Sequence, residues 1–534
     1  MESPTSGRPR APGIVVVDLQ PAGRRAAVAQ GTTILAAAQS VGVELQAICG
    51  GAGTCAGCRV RLAHGALSDP TPEEHRELSS GEIVAGLRMA CQATALGDVR
   101  VDIPPESLTA AQRVQLEGGE EPIPAGPSRL SRLGLAIDIG TTKLAVYLLD
   151  LDSGRTLARA GAMNPQIAYG EDLISRIAYT DQNPAGGRVL REKLVDRLNR
   201  LIGEICAQVG ASRDRIVDVV AVGNTVMHHL FAGLAVRTLG TAPYRPLTTD
   251  ALDLSARDAG LDLSAGTRVF VPSNIAGYVG ADHVAALLST GVGETSRTAL
   301  ALDIGTNTEI TLARGGRLFS CSSPSGPAFE GAHISAGMRA APGAIERVRI
   351  RGAEVSTYTI GRLPPVGICG SGVLDAVAEM RAAGAIDRRG NFRAGQSEFL
   401  LVPAAQTGHR RDIALTRGDV NEIQLAKAAI RAGIDVLLHE AECEPAELEE
   451  IVVAGAFGSY LDPASAVRAG LLPGVWLEHL RQVGNAAGAG ARQMLLSAQR
   501  RRAAQAIARR VEYVELAAHP AFHRGFVTAM GFED

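Results

Sequence analysis

One short hairpin occurs twice in this chain. LAIDIGTTKLAVYLL at 135–149 and ALDIGTNTEITLA at 301–313 each contain an apolar strand, the turn DIGT and a second apolar strand. Asp138 and Asp303 occupy the same position in the two copies. Because a repeated supersecondary unit indicates a repeated architecture, the body of the chain is predicted to contain two related α/β lobes.

Each DIGT turn is suited to bind phosphate. The glycine permits a close approach, and the residues after it offer hydroxyl or amide groups beside exposed backbone N–H groups. These predicted phosphate-binding residues are Gly140, Thr141, Thr142, Gly305, Thr306 and Asn307. The carboxylates of Asp138 and Asp303 are predicted to orient a hydrated Mg2+ ion. Lys143, one of only three lysines in the chain, is predicted to reach a phosphate, although a lysine that points to solvent would give the same pattern.

A cysteine-rich loop lies far upstream of the repeat. ICGGAGTCAGC at 48–58 places Cys49, Cys55 and Cys58 in the pattern C-x5-C-x2-C, and Cys91 follows in LRMACQA. The pattern differs by one residue from the plant-type ferredoxin spacing, and its glycines would let the backbone wrap closely around a [2Fe-2S] cluster. The flanking segments predict strands and a short helix, so residues 12–104 resemble a β-grasp ferredoxin.

Two other readings of the cysteine loop remain open. A zinc site with four thiolates would normally use two C-x2-4-C pairs, and this chain has one. Purely structural thiols are the second alternative. The eight cysteines are too few for a disulfide scaffold, and the start of the chain lacks an apolar export segment, so a cytoplasmic protein with reduced thiols is expected.

Composition excludes several broad classes. Charged residues make up 20% of the 534 residues and the net charge is -3, which gives no reason to expect nucleic acid, since nucleic acid favours basic faces. The sequence contains no apolar run long enough to span a membrane. The predicted domains are a ferredoxin-like domain at 1–104, a flexible Pro-, Gly- and Glu-rich linker at 105–132, a first lobe at 133–294 and a second lobe at 295–534.

The paired DIGT turns resemble the phosphate loops of the actin, Hsp70 and sugar kinase superfamily, whose two ribonuclease H-like lobes close on ATP. Two further glycine-rich turns, VGICGSGVLDA at 366–376 and VVAGAFGSYLD at 452–462, follow in the order that this superfamily uses to line adenosine. The resemblance implies that Gly370, Gly372, Gly455 and Gly458 contact the nucleoside. Close-packed turns between a strand and a helix would explain these glycines equally well.

Together these parts resemble one family, the reductive activators of corrinoid proteins. Long segments carry the resemblance: NPQIAYGEDLISRI at 164–177, VGNTVMHHLFAGL at 222–234, VPSNIAGYVGAD at 271–282, CSSPSGPAFEGAHISAGMRAAPGAIERV at 321–348, DVNEIQLAKAAIRAGI at 419–434 and VGNAAGAGARQML at 483–495. The resemblance implies ATP-driven transfer of an electron from a [2Fe-2S] cluster to Co(II) of a corrinoid protein, which restores Co(I) for a methyltransferase system. It also implies a low-potential electron donor and a homodimer.

By the same resemblance, Cys49, Cys55, Cys58 and Cys91 would hold the cluster. The two DIGT turns would bind the phosphates and Mg2+ of ATP. Glu309 and Glu330, both near the second turn, are candidates to position the water that attacks ATP. The Asp-x-His-x-x-Gly signature of corrinoid carriers is absent from the sequence, so the corrinoid is expected to stay on the partner.

Three other functions fit parts of this pattern. A kinase of the same superfamily with an accessory cluster would phosphorylate a small molecule. A redox sensor would bind nucleotide without appreciable turnover. An ATP-dependent electron donor to a non-corrinoid enzyme would share most of the predicted chemistry, as dehydratase activators do.

Overall fold

The structure is a computed structural model that describes residues 13–20, 24–41, 43, 45, 47, 49–54, 57–104, 107, 132–352, 354–393, 395–455, 461–474 and 479–532. Cys55, Gly458 and nearly all of the predicted linker at 105–132 lie outside these residues. The chain divides into two compact units. Unit 1 contains residues 1–111 and 163–194, and unit 2 contains residues 112–162 and 195–534.

Unit 1 is built around a five-stranded mixed sheet of the β-grasp type. Its elements are β1 (Ile14–Gln20), β2 (Arg24–Ala29), α1 (Ile34–Ser40), β3 (Arg59–His64), α2 (Pro72–Glu77), α3 (Ser80–Val84), β4 (Leu87–Met89) and β5 (Val99–Asp102). The strand order is β2-β1-β5-β3-β4, with β1 parallel to β5 and antiparallel to β2. Alternate apolar side chains of these strands, including Val17, Val60 and Val101, are fully buried in one core that also contains apolar residues of α1.

A buried ion pair fixes β4 in this sheet. Thr71 and Glu74 form a capping box that begins α2, and the Glu74 side chain is fully buried. Its carboxylate accepts hydrogen bonds from Arg88 (2.9 and 2.7 Å) and from the backbone N–H of Met89 (2.8 Å). Burial alone would raise the pKa of Glu74, but these hydrogen bonds outweigh burial and hold the pKa below its ordinary value.

Unit 1 also contains a segment from much later in the chain, Met163–Leu194. It includes a short 3-10 helix, Pro165–Tyr169, and α4 (Leu173–Gln182). The Arg176 side chain is fully buried and donates hydrogen bonds to the Gly170 carbonyl (2.8 Å) and to Gln166 Oε1 (3.1 Å). The predicted first lobe runs unbroken from 133 to 294, so its sequence did not indicate that this segment groups with the N-terminal residues.

Unit 2 contains two six-stranded sheets. The elements of the first half are β6 (Leu133–Ile139), β7 (Lys143–Asp150), β8 (Thr156–Met163), α5 (Gly186–Val209), β9 (Ile216–Gly223), α6 (Thr225–Ala232), β10 (Leu252–Ser255), α7 (Ala256–Ala259), β11 (Arg268–Val271) and α8 (Ala281–Thr290). Two of them, β8 and α5, cross the boundary with unit 1.

The second half carries β12 (Ala299–Ile304), β13 (Thr308–Arg314), β14 (Arg317–Ser323), β15 (Ala344–Arg351), β16 (Glu354–Thr359), β17 (Gly367–Ile368), α9 (Gly370–Ala382), β18 (Glu398–Val402), β19 (Ile413–Thr416), α10 (Arg417–Glu440), β20 (Glu450–Ala454), α11 (Pro463–Arg468), β21 (Leu480–Gln482), α12 (Ala486–Leu496), α13 (Ala498–Arg510), β22 (Val511–Tyr513) and α14 (Pro520–Ala529). No helix among the described residues is long and apolar enough to cross a membrane.

The two sheets share a core of five equivalent strands, and each has a sixth strand, β10 or β22, at opposite edges. Their strand orders are β10-β11-β9-β6-β7-β8 and β21-β20-β12-β13-β14-β22. In each sheet the DIGT hairpin is antiparallel, as β6/β7 and β12/β13, and its first strand lies parallel to a later strand, β9 or β20. The predicted duplication is therefore present as two sheets with a matching five-stranded core, each with an aspartate near the end of an equivalent strand.

A helix from late in the chain packs against the first sheet. Although α12 follows β21 of the second sheet in sequence, it packs against α8 and β6. The contact is close, because a Cβ atom added at Gly490 would lie 2.0 Å from the Ala285 carbonyl oxygen. Apolar residues of both halves share one core here, among them Ala136, Leu287 and Met494. As a result, the residue that precedes α12 can reach the first DIGT turn.

Candidate functional site

The cysteine cradle lies at one edge of unit 1. Cys49 lies between α1 and β3 in the chain, Cys58 directly precedes β3, and Cys91 follows β4. The thiol of Cys91 hydrogen-bonds with those of Cys49 and Cys58, which raises the pKa of Cys91 and lowers that of Cys58. Three of the four predicted cluster ligands therefore converge, and Cys55 lies outside the described residues.

The backbone around these thiols fits a [2Fe-2S] cluster. Gly50, Gly51 and Gly53 all have positive φ values, 64°, 97° and 76°, which only glycine adopts without strain. The Gln92 amide donates to the Gly51 carbonyl (3.1 Å), and a Cβ atom at Gly53 would lie 2.8 Å from the Gln92 side chain. The loop is thus shaped to curve around a group held by its own thiolates, the chemistry that iron-sulfur clusters need.

The first DIGT turn connects β6 to β7 in unit 2. A Cβ atom at Gly140 would lie 2.6 Å from the Lys143 carbonyl oxygen, so the turn requires glycine there. The hydroxyl of Thr141 accepts a hydrogen bond from Asn224 Nδ2 at 2.8 Å. Asp138 Oδ2 accepts one from Asn485 Nδ2 at 2.7 Å. Both asparagines also cap helices, α6 and α12 respectively, so each joins this turn to the start of a helix.

The second DIGT turn connects β12 to β13. Ser325 Oγ donates toward the carbonyls of Gly305 (3.2 Å) and Thr306 (3.3 Å) and lies 2.8 Å from Thr308 Oγ1. The buried hydroxyl of Ser325 therefore stabilises the turn through hydrogen bonds. Gly455 lies directly beside Asp303, since a Cβ atom there would be 2.8 Å from the carboxylate.

Four half-buried carboxyl groups, those of Asp138, Asp282, Asp303 and Glu309, lie together near the two turns. Burial raises the pKa of Asp138 to about 7, with a minor contribution from the charge of Asp303, although the hydrogen bond from Asn485 acts in the opposite direction. Burial also raises the pKa of Asp303 to about 6. Burial and the charges of Asp303 and Asp138 raise the pKa of Asp282 to about 8. Burial, Asp282 and Asp303 together raise the pKa of Glu309 well above its usual range. A cation at this position would offset their mutual repulsion.

The donor set suits magnesium held mainly through water. Among the described residues, no three His, Cys, Asp or Glu side chains are arranged to hold a single metal ion directly. Mg2+ keeps several water ligands and uses one or two carboxylates together with substrate phosphates, so a direct three-ligand cage is not required. The acidic group and the two adjacent turns fit that pattern.

Glu330 lies between the two turns. Its carboxylate accepts hydrogen bonds from Thr142 Oγ1 (3.1 Å) in the first turn and from Thr306 Oγ1 (2.7 Å) in the second. Arg339 Nε lies 3.9 Å from Glu330 Oε2. Burial lowers the pKa of Lys143, and the charge of Glu330 partly offsets that effect. Thr142 and Thr306, one from each predicted turn, are therefore brought together on this one carboxylate.

The glycines predicted to contact the nucleoside are close-packed. A Cβ atom at Gly370 would lie 1.7 Å from the Phe329 carbonyl oxygen, and one at Gly372 would lie 2.2 Å from the Ile345 carbonyl oxygen. Packing alone therefore requires glycine at both positions. Their contact with a nucleoside stays a prediction, and Gly458 lies outside the described residues.

The sequence interpretation missed Asn224, Asn485 and Asp282. A signal for the asparagines was present, because the tripeptide VGN occurs at 222–224 and again at 483–485, each time before a helix. Asn is a preferred residue at the start of a helix, and its amide remains free to donate elsewhere. No local pattern distinguished Asp282 from other acidic residues at the start of a helix.

Comparison with known proteins matches the whole architecture. A model of the 2Fe-2S iron-sulfur cluster binding domain matches residues 17–96, a model of the RACo middle region matches 133–295, and a model of the C-terminal domain of RACo, the ASKHA domain, matches 297–534.

Curated relatives and a solved structure agree with these matches. The chain is 36% identical over 431 residues to the corrinoid activation enzyme RamQ of Eubacterium limosum, covering 77% of this chain and 72% of that protein. It is 28% identical to the [Co(II) methylated amine-specific corrinoid protein] reductase of Methanosarcina barkeri, covering 69% and 70%. A solved reductive activator for corrinoid, iron-sulfur protein is 32% identical, with a TM-score of 0.69 and coverage of 97% and 98%.

These matches extend through the cysteine cradle and both DIGT sheets. They confirm the ferredoxin-like domain and the actin-like α/β body that the sequence predicts. The chain belongs to the family of reductive activators of corrinoid proteins.

Proposed function

We propose that this protein uses ATP to drive the transfer of one electron from a [2Fe-2S] cluster to Co(II) of a partner corrinoid protein. The product is Co(I), the form that accepts a methyl group in a methyltransferase system. One observation carries the proposal: a cysteine cradle shaped for a cluster and a two-turn phosphate site occur together in a chain related to corrinoid activation enzymes along most of its length.

Within unit 1, four thiolates would hold the cluster: Cys49, Cys55, Cys58 and Cys91. When bound, the cluster supplies the electron, and ATP hydrolysis supplies free energy for the transfer. The glycines of the loop keep the backbone close to the sulfur atoms, and Gln92 fixes the loop by its bond to Gly51. The buried Glu74–Arg88 pair holds β4, and hence Cys91, at a fixed position.

Within unit 2, the two DIGT turns would bind the phosphates of ATP. The expected phosphate ligands are the backbone and side chains of Gly140, Thr141, Thr142, Lys143, Gly305, Thr306 and Asn307. Asp138 and Asp303 would orient hydrated Mg2+, and Asp282 adds to the same negative field. Asn485 and Asn224 keep the first turn in position from the starts of two helices.

Two glutamates remain candidates to position the attacking water. Glu330 contacts both turns, whereas Glu309 is enclosed within the acidic group and accepts a hydrogen bond from Ser322 Oγ (3.3 Å). The turns around Gly370, Gly372, Gly455 and Gly458 would complete the nucleoside side of the site. The close backbone packing of Gly370 and Gly372 and the position of Gly455 beside Asp303 support this assignment.

The energy requirement is modest. A plant-type cluster has a potential of roughly -400 mV. Moving one electron uphill by a further ~100 mV costs about 2.3 kcal/mol. A nucleotide contributes this free energy only if it binds two states of the protein with different affinity. Opening and closing of the two sheets about the phosphate turns, which Glu330 links, would provide such a pair of states. A low-potential donor, a homodimer and a cytoplasmic location are further parts of the proposal.

Visible spectroscopy under anaerobic conditions tests the function. A Co(II) corrinoid protein is mixed with this protein, a low-potential reductant and Mg2+, with and without ATP. We expect the Co(I) absorption band to grow only when ATP is present. Cys91→Ala should abolish it because a cluster ligand is lost, whereas Cys443→Ala, which replaces a cysteine outside both sites, should leave it unchanged.

A Co(I) band that grows equally with and without ATP would contradict the role of the nucleotide. No Co(I) despite an intact cluster and ATP turnover would mean that the electron goes to another acceptor.

A further inference from the structure

The two oxygens of the Glu330 carboxylate are divided between two turns from opposite halves of unit 2. Thr142 donates to one oxygen and Thr306 to the other. The side chain is 20% exposed, so it lies within the site and remains reachable from solvent. A single carboxylate therefore links the two DIGT turns.

The backbone beneath Glu330 is rigidly placed. The short turn Ala328–Glu330 packs on the first turn of α9, where a Cβ atom at Gly370 would lie 1.7 Å from the Phe329 carbonyl oxygen. The next residue, Gly331, has a φ of 80°, and a Cβ atom there would lie 2.3 Å from the Met338 carbonyl oxygen. Because this backbone is locked, displacing the carboxylate requires rotation of the Glu330 side chain.

The groups around Glu330 are those that bind a phosphate. Two hydroxyl donors contact its oxygens, Arg339 lies within 3.9 Å, and Lys143 is close enough for the charge of Glu330 to affect its pKa. Charged acceptors make the strongest hydrogen bonds with such donors. A carboxylate and a phosphate oxygen have similar demands here, so they compete for the same donors.

We propose that Glu330 is an internal substitute for a nucleotide phosphate, which holds the two phosphate turns together in the absence of nucleotide and is displaced when a phosphate enters. This role rests on the proposed function, because it assumes that nucleotide binds between the turns. Glu330 is then a positioning residue: when phosphate displaces its carboxylate, the contacts with the turns of both sheets change together. Phosphate affinity is lowered by the cost of that displacement.

The isosteric variant Glu330→Gln separates charge from shape. Its amide can still accept from one threonine and donate to the other, but the negative charge that competes with phosphate is removed. We expect AMP-PNP and inorganic phosphate to bind about 5-fold to 150-fold more tightly, the usual range for a coupling between two states. Adenosine lacks phosphate, so its affinity should not change.

Isothermal titration calorimetry of the full-length, cluster-loaded protein measures these affinities in the presence of Mg2+. Glu354→Gln, which neutralises an exposed carboxylate on β16, is the matched control and should bind all three probes as the wild type does. Unchanged or weaker AMP-PNP binding by Glu330→Gln would overturn the proposal, as would an equal gain in adenosine affinity. A wild-type protein that binds neither AMP-PNP nor adenosine would overturn the proposed function, and the role of Glu330 with it.

Hydrogen exchange without nucleotide gives a second measurement that needs no turnover. Residues 139–143 and 304–308 should exchange faster in Glu330→Gln than in the wild type, because the link between the turns is weakened. AMP-PNP should remove the difference. Equal exchange rates in the nucleotide-free proteins would contradict the link.

Discussion

Asn485 and Asn224 form a natural matched pair for testing how the first phosphate turn is held. Each caps a helix through its Oδ1 atom, accepting from Gly488 N (2.6 Å) or Met227 N (3.0 Å). Each donates its Nδ2 group to the turn. They differ in the acceptor: Asn485 donates to the carboxyl group of Asp138, whereas Asn224 donates to the neutral hydroxyl of Thr141.

The expected magnitudes follow from these contacts. Replacing either asparagine with alanine loses a helix cap worth about 1 kcal/mol. Losing a hydrogen bond to a charged group costs about 1.5–3 kcal/mol, compared with about 1 kcal/mol for a neutral one. We therefore expect Asn485→Ala to lower the free energy of unfolding by about 3 kcal/mol and Asn224→Ala by about 2 kcal/mol.

The difference should depend on pH. The pKa of Asp138 is about 7, so its carboxyl group is mostly ionised at pH 8 and mostly protonated at pH 6. The hydrogen bond from Asn485 favours the ionised form, and removing it raises the pKa of Asp138 further. The extra cost of Asn485→Ala should therefore be largest at pH 8 and should shrink toward pH 6.

Urea unfolding followed by far-ultraviolet circular dichroism, without nucleotide and with EDTA, measures the costs at both pH values. The visible absorption of the cluster reports separately on unit 1, and both substitutions lie in unit 2. Equal losses in the two variants at pH 8, or a difference that does not change with pH, would refute the reasoning about Asp138.

Three further outcomes follow from the structure. Arg88→Met leaves Glu74 buried and unpaired, so it should lower the free energy of unfolding by about 3–5 kcal/mol and prevent stable cluster incorporation. Arg76→Met, at an exposed ion pair, should lower it by at most about 1 kcal/mol. Cluster absorbance after reconstitution distinguishes the two variants. The pKa of Glu74 is lower in the folded protein than its usual 4.5, so the stability that Glu74 contributes should be present above pH 4.5 and lost as the pH falls through the folded-state pKa. Acid titration of the cluster absorbance detects this loss. A contribution that grows on acidification would contradict the expectation. Gly370→Ala places a Cβ atom against the Phe329 carbonyl and should lower the free energy of unfolding in urea by about 1–3 kcal/mol or more. An unchanged free energy of unfolding would disprove the tight packing.

Much of the architecture was predictable because its signals are local. The cysteine spacing, the glycines of the loop and the duplicated DIGT hairpin each lie within a few consecutive residues, and the ferredoxin domain and two-sheet body that they predict are confirmed. The contact between Asn485 and Asp138 joins residues 347 positions apart, so no local pattern specifies it. The grouping of Met163–Leu194 with the N-terminal residues likewise depends on tertiary packing that the strand and helix periodicities do not encode.

The packing of α12 against the first sheet has a consequence for synthesis of the protein. Ser289, in α8, donates a hydrogen bond to the Ala486 carbonyl at the start of α12, a residue 197 positions later in the chain. At ~5–20 residues per second, a ribosome needs about 10–40 s to add that length. During this interval the apolar faces of β6 and α8 that α12 covers are exposed on the nascent chain. The first sheet therefore reaches its final packing only after α12 has been made, and the two halves of unit 2 mature together rather than in turn.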